Sequence, residues 1–91
     1  MKKVVLFNGN YFTMKRYITF EIKDNCAVIS LQDLGINEYE SFYDLNKDET
    51  KKLLMLIPFS KIKSTFEGPE AMEKFKTFCD NNGIKYNFSA F

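Results

Sequence analysis

The dipeptide Asp24-Asn25 constrains this chain more than any other feature, because the residues on either side of it match when the backbone folds back there. On the N-terminal side the even positions Phe12, Met14, Ile18, Phe20 and Ile22 form an apolar face interrupted by Arg16. Alternation of this kind is the period of a strand with one buried face. A two-residue loop at Asp24-Asn25 sets Lys23 opposite Cys26, Ile22 opposite Ala27, Phe20 opposite Ile29 and Ile18 opposite Leu31. Apolar residues then meet apolar residues along the ladder, and a slip of one residue would turn them all to the other face. An antiparallel hairpin follows, with Arg16 marking an expected bulge.

The flanking segments extend this hairpin into a meander. Lys3–Phe7 is β-branched and apolar, and Asn8-Gly9 readily supplies the positive φ angles of a tight turn, which predicts a first hairpin there. A loop through 33–37 leads to Glu38–Leu45, which alternates as a fourth strand. Asn46 stands three residues before Glu49, an arrangement resembling a capping box, and opens a helix whose Thr50, Leu53, Leu54 and Ile57 share one face. Pro58 stops or bends that helix, and 60–66 reads as a loop or a short helical turn.

Pro69 in a first turn, the stripe Ala71, Met72, Phe75, Phe78 and Cys79, and Gly83 just past Asn82 define a second helix with both ends marked. Ile84 is expected to pack back onto it. The tail 84–89 alternates strictly and adds a closing strand. The expected fold is α+β: an antiparallel meander of about four strands, two helices and a C-terminal strand joining the sheet, in the order ββββααβ. At 91 residues the chain suits one hydrophobic core, and residues 1–91 read as a single domain. Ten Phe and five Tyr exceed what such a core usually holds, so some rings are expected at the surface.

Composition narrows the chemistry. The chain has no His, which excludes Ser-His-Asp, Cys-His and His-based zinc chemistry. Cys26 and Cys79 stand far apart without CxxC spacing, and no apolar run approaches a membrane span or a secretory h-region, so free thiols and a cytoplasmic location are expected. The spacing of Asp33, Glu38 and Asp44 matches no EF-hand loop, and solvated acids are the simpler reading. A glycosidase-type pair drawn from Glu38, Glu40 or Asp44 has no cleft implied by its spacing. Neither GxxxxGK[ST] nor GxGxxG is present. No catalytic residue, cofactor or metal ligand is therefore assigned.

Charge is the functional clue. Between Asp24 and Glu49 lie seven acidic residues (Asp24, Asp33, Glu38, Glu40, Asp44, Asp48 and Glu49) and one basic residue, Lys47, a local charge of −6 in a chain whose net charge is +1. Such a field steers partners of opposite sign. Within it, Tyr39, Phe42 and Tyr43 interleave with the acids, so carboxylates can imitate a run of phosphates while rings anchor a partner's cleft. The plainer alternative is that Tyr43 and Leu45 face the core and the acids keep the strand from pairing with neighbours. Lys15, Arg16 and Lys23, with Tyr11, Phe12 and Tyr17, outline a competing surface for nucleic acid, but the chain has a near-neutral pI and no RNP-like sequence.

The run Tyr43-Asp44-Leu45-Asn46-Lys47-Asp48-Glu49-Thr50-Lys51-Lys52-Leu53-Leu54 after a meander, followed by Phe75-Lys76-Thr77-Phe78-Cys79 and by Gly83-Ile84-Lys85-Tyr86-Asn87-Phe88, resembles small cytosolic immunity proteins of bacterial toxin systems. The resemblance covers the layout of most of the chain and implies a protein that binds a cognate toxin domain and blocks its active site or substrate surface. It transfers no binding residue by position.

Taken together, the expectation is a non-enzymatic inhibitor that occludes the basic cleft of a nuclease-type toxin with Asp33, Glu38, Tyr39, Glu40, Phe42, Asp44 and Asp48. A phage-encoded inhibitor of a nucleic-acid-handling defence complex would use the same physics. A small nucleic-acid-binding regulator is the alternative of a different class. The chain is expected to act as a monomer or weak homodimer, with no membrane partner.

Overall fold

A computed structural model describes residues 1–91. It is an α+β fold in which one antiparallel sheet is covered on one side by helices. The elements run β1 (Lys2–Tyr11), β2 (Met14–Lys23), β3 (Cys26–Leu34), β4 (Tyr39–Asp44), α1 (Lys47–Leu56), α2 (Phe59–Phe66), α3 (Ala71–Asn81) and β5 (Asn87–Ala90). The five strands lie in the order β1-β2-β3-β4-β5, so the chain builds four strands, crosses the sheet with three helices and closes beside β4.

The Asp24-Asn25 hairpin has the register its sequence predicts, with Lys23 paired to Cys26, Phe20 to Ile29 and Ile18 to Leu31. Both loop residues adopt left-handed φ angles, 54° and 64°. The first hairpin differs from its expectation. Asn8 and Gly9 lie inside β1, paired with Tyr17 and Arg16, and the chain turns at Phe12-Thr13 with Phe12 at φ 56°. This longer ladder sets Val4 opposite Phe20 and Phe7 opposite Ile18, and the apolar burial outweighs the local preference of Asn-Gly for a turn.

The bulge also lies elsewhere than at Arg16. The β1–β2 register shifts between Val5 and Phe7, and the Leu6 carbonyl between them accepts a hydrogen bond of 2.9 Å from the Gly68 amide. That contact ties the outer edge of β1 to the α2–α3 connection and blunts an edge otherwise open to pairing.

Helix α1 is capped as expected, with Asn46 Oδ1 accepting from the Glu49 amide at 2.9 Å. The reciprocal half of the capping box is absent. Glu49 instead accepts the Lys85 amide at 2.6 Å and pairs with Lys52 at 3.0 Å, which holds its carboxyl below the usual carboxylate range, chiefly through the Lys85 bond. The segment 60–66 is part of a third helix, α2, held by Ile62 and Phe66 one turn apart in the core. At the end of α3, Gly83 takes φ 65° and the Ile84 amide donates to the Cys79 carbonyl at 2.9 Å, the six-to-one bond of a Schellman motif. Ile84 is buried as predicted. Because Ile84 ends the helix and Lys85 binds Glu49, the closing strand begins only at Asn87.

The core lies between the sheet and the helices. Phe20, Phe66 and Phe75 are fully buried, and Phe75 stands within 6.3 Å of the Phe20, Tyr43 and Phe66 rings, centroid to centroid. No helix is long and apolar enough to cross a membrane.

Candidate functional site

Residues paired across antiparallel strands share a face, so the register divides the sheet cleanly. Ile18, Phe20, Ile29 and Tyr43 point to the helices. The opposite face carries Lys3, Val5, Asn8 and Asn10 from β1, Lys15, Tyr17, Thr19, Glu21 and Lys23 from β2, Val28, Ser30 and Gln32 from β3, and Glu40, Phe42 and Asp44 from β4. No helix packs on it. Phe91, paired through its backbone with Glu40, extends the face, and its ring meets Phe42 edge-on at 6.0 Å.

Three of the residues proposed from sequence come together here. Phe42 sits half-buried on β4 between Glu40 and Asp44, two residues away on either side and on the same face. Glu38 is exposed immediately before the strand. Glu40 Oε1 accepts from Gln32 Nε2 at 3.3 Å, and Thr19 and Ser30 join hydroxyls at 2.9 Å in the next row. Tyr17, Ser30, Gln32, Glu40 and Phe42 enclose a hollow of about 140 Å³. At the hairpin end of the same face, Glu21, Asp24, Asp44, Asn46 and Asn87 line a broader hollow of about 570 Å³.

The other three proposed positions lie apart. Asp33 is 4% exposed and its carboxylate takes both Nε and Nη2 of Arg16 at 2.8 Å, so it belongs to the interior and offers no free surface to a partner. The hairpin register expected from the sequence sets Asp33 opposite Arg16 on the apolar face, and the fork that captures it comes from that cross-strand partner. Tyr39 pairs with Asp33 on the helix side and is 42% exposed at the end of β4. Asp48 lies in the first turn of α1, beside Ile22 and Asn25. Acidic charge is thus contiguous in sequence and divided in space.

The sequence reading missed Tyr17, Ser30, Gln32 and Phe91 as members of one surface. Their signal was the odd-numbered side of β2: wherever the even side is apolar and buried, Lys15, Tyr17, Thr19, Glu21 and Lys23 must occupy the opposite face. It also missed how charge is distributed on this face, with Lys3, Lys15 and Lys23 around Glu21 on β1 and β2 and only Glu40 and Asp44 on β4.

Arg16, counted among the basic residues that nucleic acid could use, is committed elsewhere. Besides Asp33 it donates Nη1 to the Pro69 carbonyl at 2.8 Å and covers the Tyr11 ring at 4.1 Å. Its hydrogen bond to Asp33 raises the guanidinium pKa against the opposing effect of burial.

The structure assembles no group of three His, Cys, Asp or Glu side chains able to hold a metal ion. Cys79 is fully enclosed, and burial, followed by the charges of Asp80 and Glu49, pushes its thiol up to about 12, which leaves essentially no thiolate at neutral pH. A thiol-specific chromogenic reagent at pH 8 is therefore expected to modify half-buried Cys26 in the native protein and to reach Cys79 only on unfolding in denaturant. Two equivalents reacting at one fast rate under native conditions would contradict this packing.

Comparison with protein-family models, with curated proteins and with solved structures finds no match to this chain.

Proposed function

We propose that the chain is a non-enzymatic protein-binding inhibitor, an immunity protein that neutralises a nuclease-type toxin domain by laying the β4 side of its helix-free sheet face into a basic cleft. The observation that supports this reading most directly is Phe42 flanked by Glu40 and Asp44 on a face no helix covers. A nuclease cleft is built to take a polyanion between basic walls. Two carboxylates about 13 Å apart along a strand, at roughly 3.3 Å per residue, present anionic points to such walls while the ring between them fills the apolar floor. Glu38, exposed immediately before β4, extends the acidic row, while Tyr39 and Asp48 lie outside it. Charge attraction accelerates the encounter and burial of Phe42 slows release. A phage-encoded inhibitor of a nucleic-acid-handling defence complex would meet its target by the same chemistry.

A nucleic-acid-binding regulator is the second reading, favoured by Lys3, Lys15 and Lys23 beside Tyr17 on the same face. Against it, Arg16 is held by Asp33, and the exposed ring that extends this face, Phe91 at 79%, lies on the acidic side.

Tagged protein used as bait in nuclease-treated native extract, beside the Glu38→Lys/Glu40→Lys variant, separates the readings. The expected result is a basic nuclease captured and inhibited by the wild type, with affinity at least ~10-fold weaker for the variant. Unchanged capture by the variant would remove β4 from the interface. Recovery of nucleic acid alone from untreated extract, with binding that falls steeply with salt, would support the second reading.

A further inference from the structure

The hollow between Tyr17 and Phe42 has two aromatic rings and one carboxylate in its lining. Tyr17 stands on β2 and Phe42 on β4, with Ser30 and Gln32 of β3 between them. Two strand spacings of ~4.8 Å and one two-residue step of ~6.6 Å along the strand set the Tyr17 and Phe42 backbones ~12 Å apart, and both side chains line the hollow between them. The rings are staggered diagonally, Tyr17 in the row of Gln32 and Glu40, Phe42 in the row of Thr19 and Ser30. At one end of the hollow, Glu40 Oε1 accepts from Gln32 Nε2 at 3.3 Å, which leaves a second lone pair on Oε1 and both on Oε2 for an incoming fork. No lysine or arginine lines the cavity.

Resting on the inhibitor reading, we propose that this hollow accepts an arginine side chain of the protein partner, its guanidinium stacked between Tyr17 and Phe42 and forked onto Glu40. Arginine fits where lysine does not, because its planar cation stacks on rings and donates two parallel hydrogen bonds to a carboxylate. A compact, strongly hydrated ammonium does neither. A nucleobase would also fit beside the rings, but Glu40, the one charged residue in the lining, repels its phosphate. The geometry therefore selects a cationic group and places the main anchor of the interface at the centre of the open face. From that position the arginine of a basic cleft is removed from its own substrate, which accounts for inhibition as well as binding.

The test is a titration of isotopically labelled full-length chain with N-acetyl-arginine amide, followed by backbone and side-chain amide shifts. The same titration is run with N-acetyl-lysine amide and with adenosine 5′-monophosphate. Saturable shifts at Tyr17, Ser30, Gln32, Glu40 and Phe42 in the ~1–50 mM range with arginine, several-fold weaker with lysine, are expected. Glu40→Gln should weaken arginine binding ~5–10-fold while leaving the amide spectrum elsewhere unchanged, which shows that the sheet still folds. Equal shifts from arginine and lysine, no saturation with either, or stronger binding of the nucleotide at these residues would overturn the proposal. If the cup fails while a basic nuclease is still captured in a Glu38/Glu40-dependent way, the inhibitor reading stands without this anchor. If the cup binds arginine and no such nuclease is captured, the receptor stands and the inhibitor reading falls.

Discussion

Phe75→Ala is expected to lower the free energy of unfolding by about 3–5 kcal/mol, the range found when a buried aromatic side chain is truncated to alanine. Phe75 has no exposure, and its ring lies 5.5 Å from Phe66 edge-on, 6.1 Å from Tyr43 in a stacked arrangement and 6.3 Å from Phe20. The three neighbours come from α2, β4 and β2, so no single element can relax into the vacancy without moving the others. Truncation removes the hydrophobic contribution of the ring and leaves a cavity bounded by stiff side chains. It also removes three aromatic pairings, each worth up to ~1 kcal/mol beyond burial.

A domain of this size has a total stability on the order of 5–14 kcal/mol, so the variant would approach its threshold. Urea unfolding followed by circular dichroism measures the change, with a shifted midpoint and an unchanged slope as the expected signature. Met55→Ala, at a position 86% exposed, should stay within about 0.5 kcal/mol of wild type. A Phe75→Ala loss under about 1.5 kcal/mol would mean that the helices do not pack on the sheet in this arrangement.

How much of this could be read from the residues depends on the range over which each is determined. The second hairpin was legible to single-residue register because its turn, its alternation and its cross-strand partners lie within one short stretch and agree. The Asn46 cap and the Gly83 stop were legible for the same reason, since a cap is satisfied by groups three to five residues away. The first turn was misplaced because Asn8-Gly9 is a strong local signal and the bulge at Leu6, which brings Phe7 over Ile18, depends on an edge contact with Gly68 more than sixty residues away. Helix α2 was missed because only Ile62 and Phe66 mark it, too short a pattern to distinguish from a turn. Likewise the site was half legible. Glu40, Phe42 and Asp44 share a face by alternation within one strand, but Tyr17 and Gln32 join them only through the order of strands in the sheet.

Asp33 was within reach of the same hairpin register, which sets it opposite Arg16 on the buried face, and its replacement is the second large effect. Asp33→Ala is expected to destabilise the fold by about 3–5 kcal/mol, because it strands the Arg16 guanidinium in a site where the side chains of Arg16 and Asp33 are 12% and 6% exposed. The cost arises less from the lost attraction than from the charge left behind. Arg16 keeps the Pro69 carbonyl and the Tyr11 ring, but neither carries a formal negative charge to balance it.

The double replacement Arg16→Met/Asp33→Leu removes both charges and keeps apolar volume. It should recover most of the loss, short of the bond to Pro69, as buried ion pairs replaced by well-packed apolar groups commonly do. An Asp33→Ala effect below about 1 kcal/mol would place the pair with exposed salt bridges and return Asp33 to the surface where a partner could reach it. The expected result does the reverse: it removes one acid from the interface and makes it the fixture that joins β2 and β3 to the α2–α3 connection. The open face then rests on a pair that itself faces the helices, and any loss of partner binding by Asp33→Ala should track the fraction unfolded rather than the affinity of the folded protein.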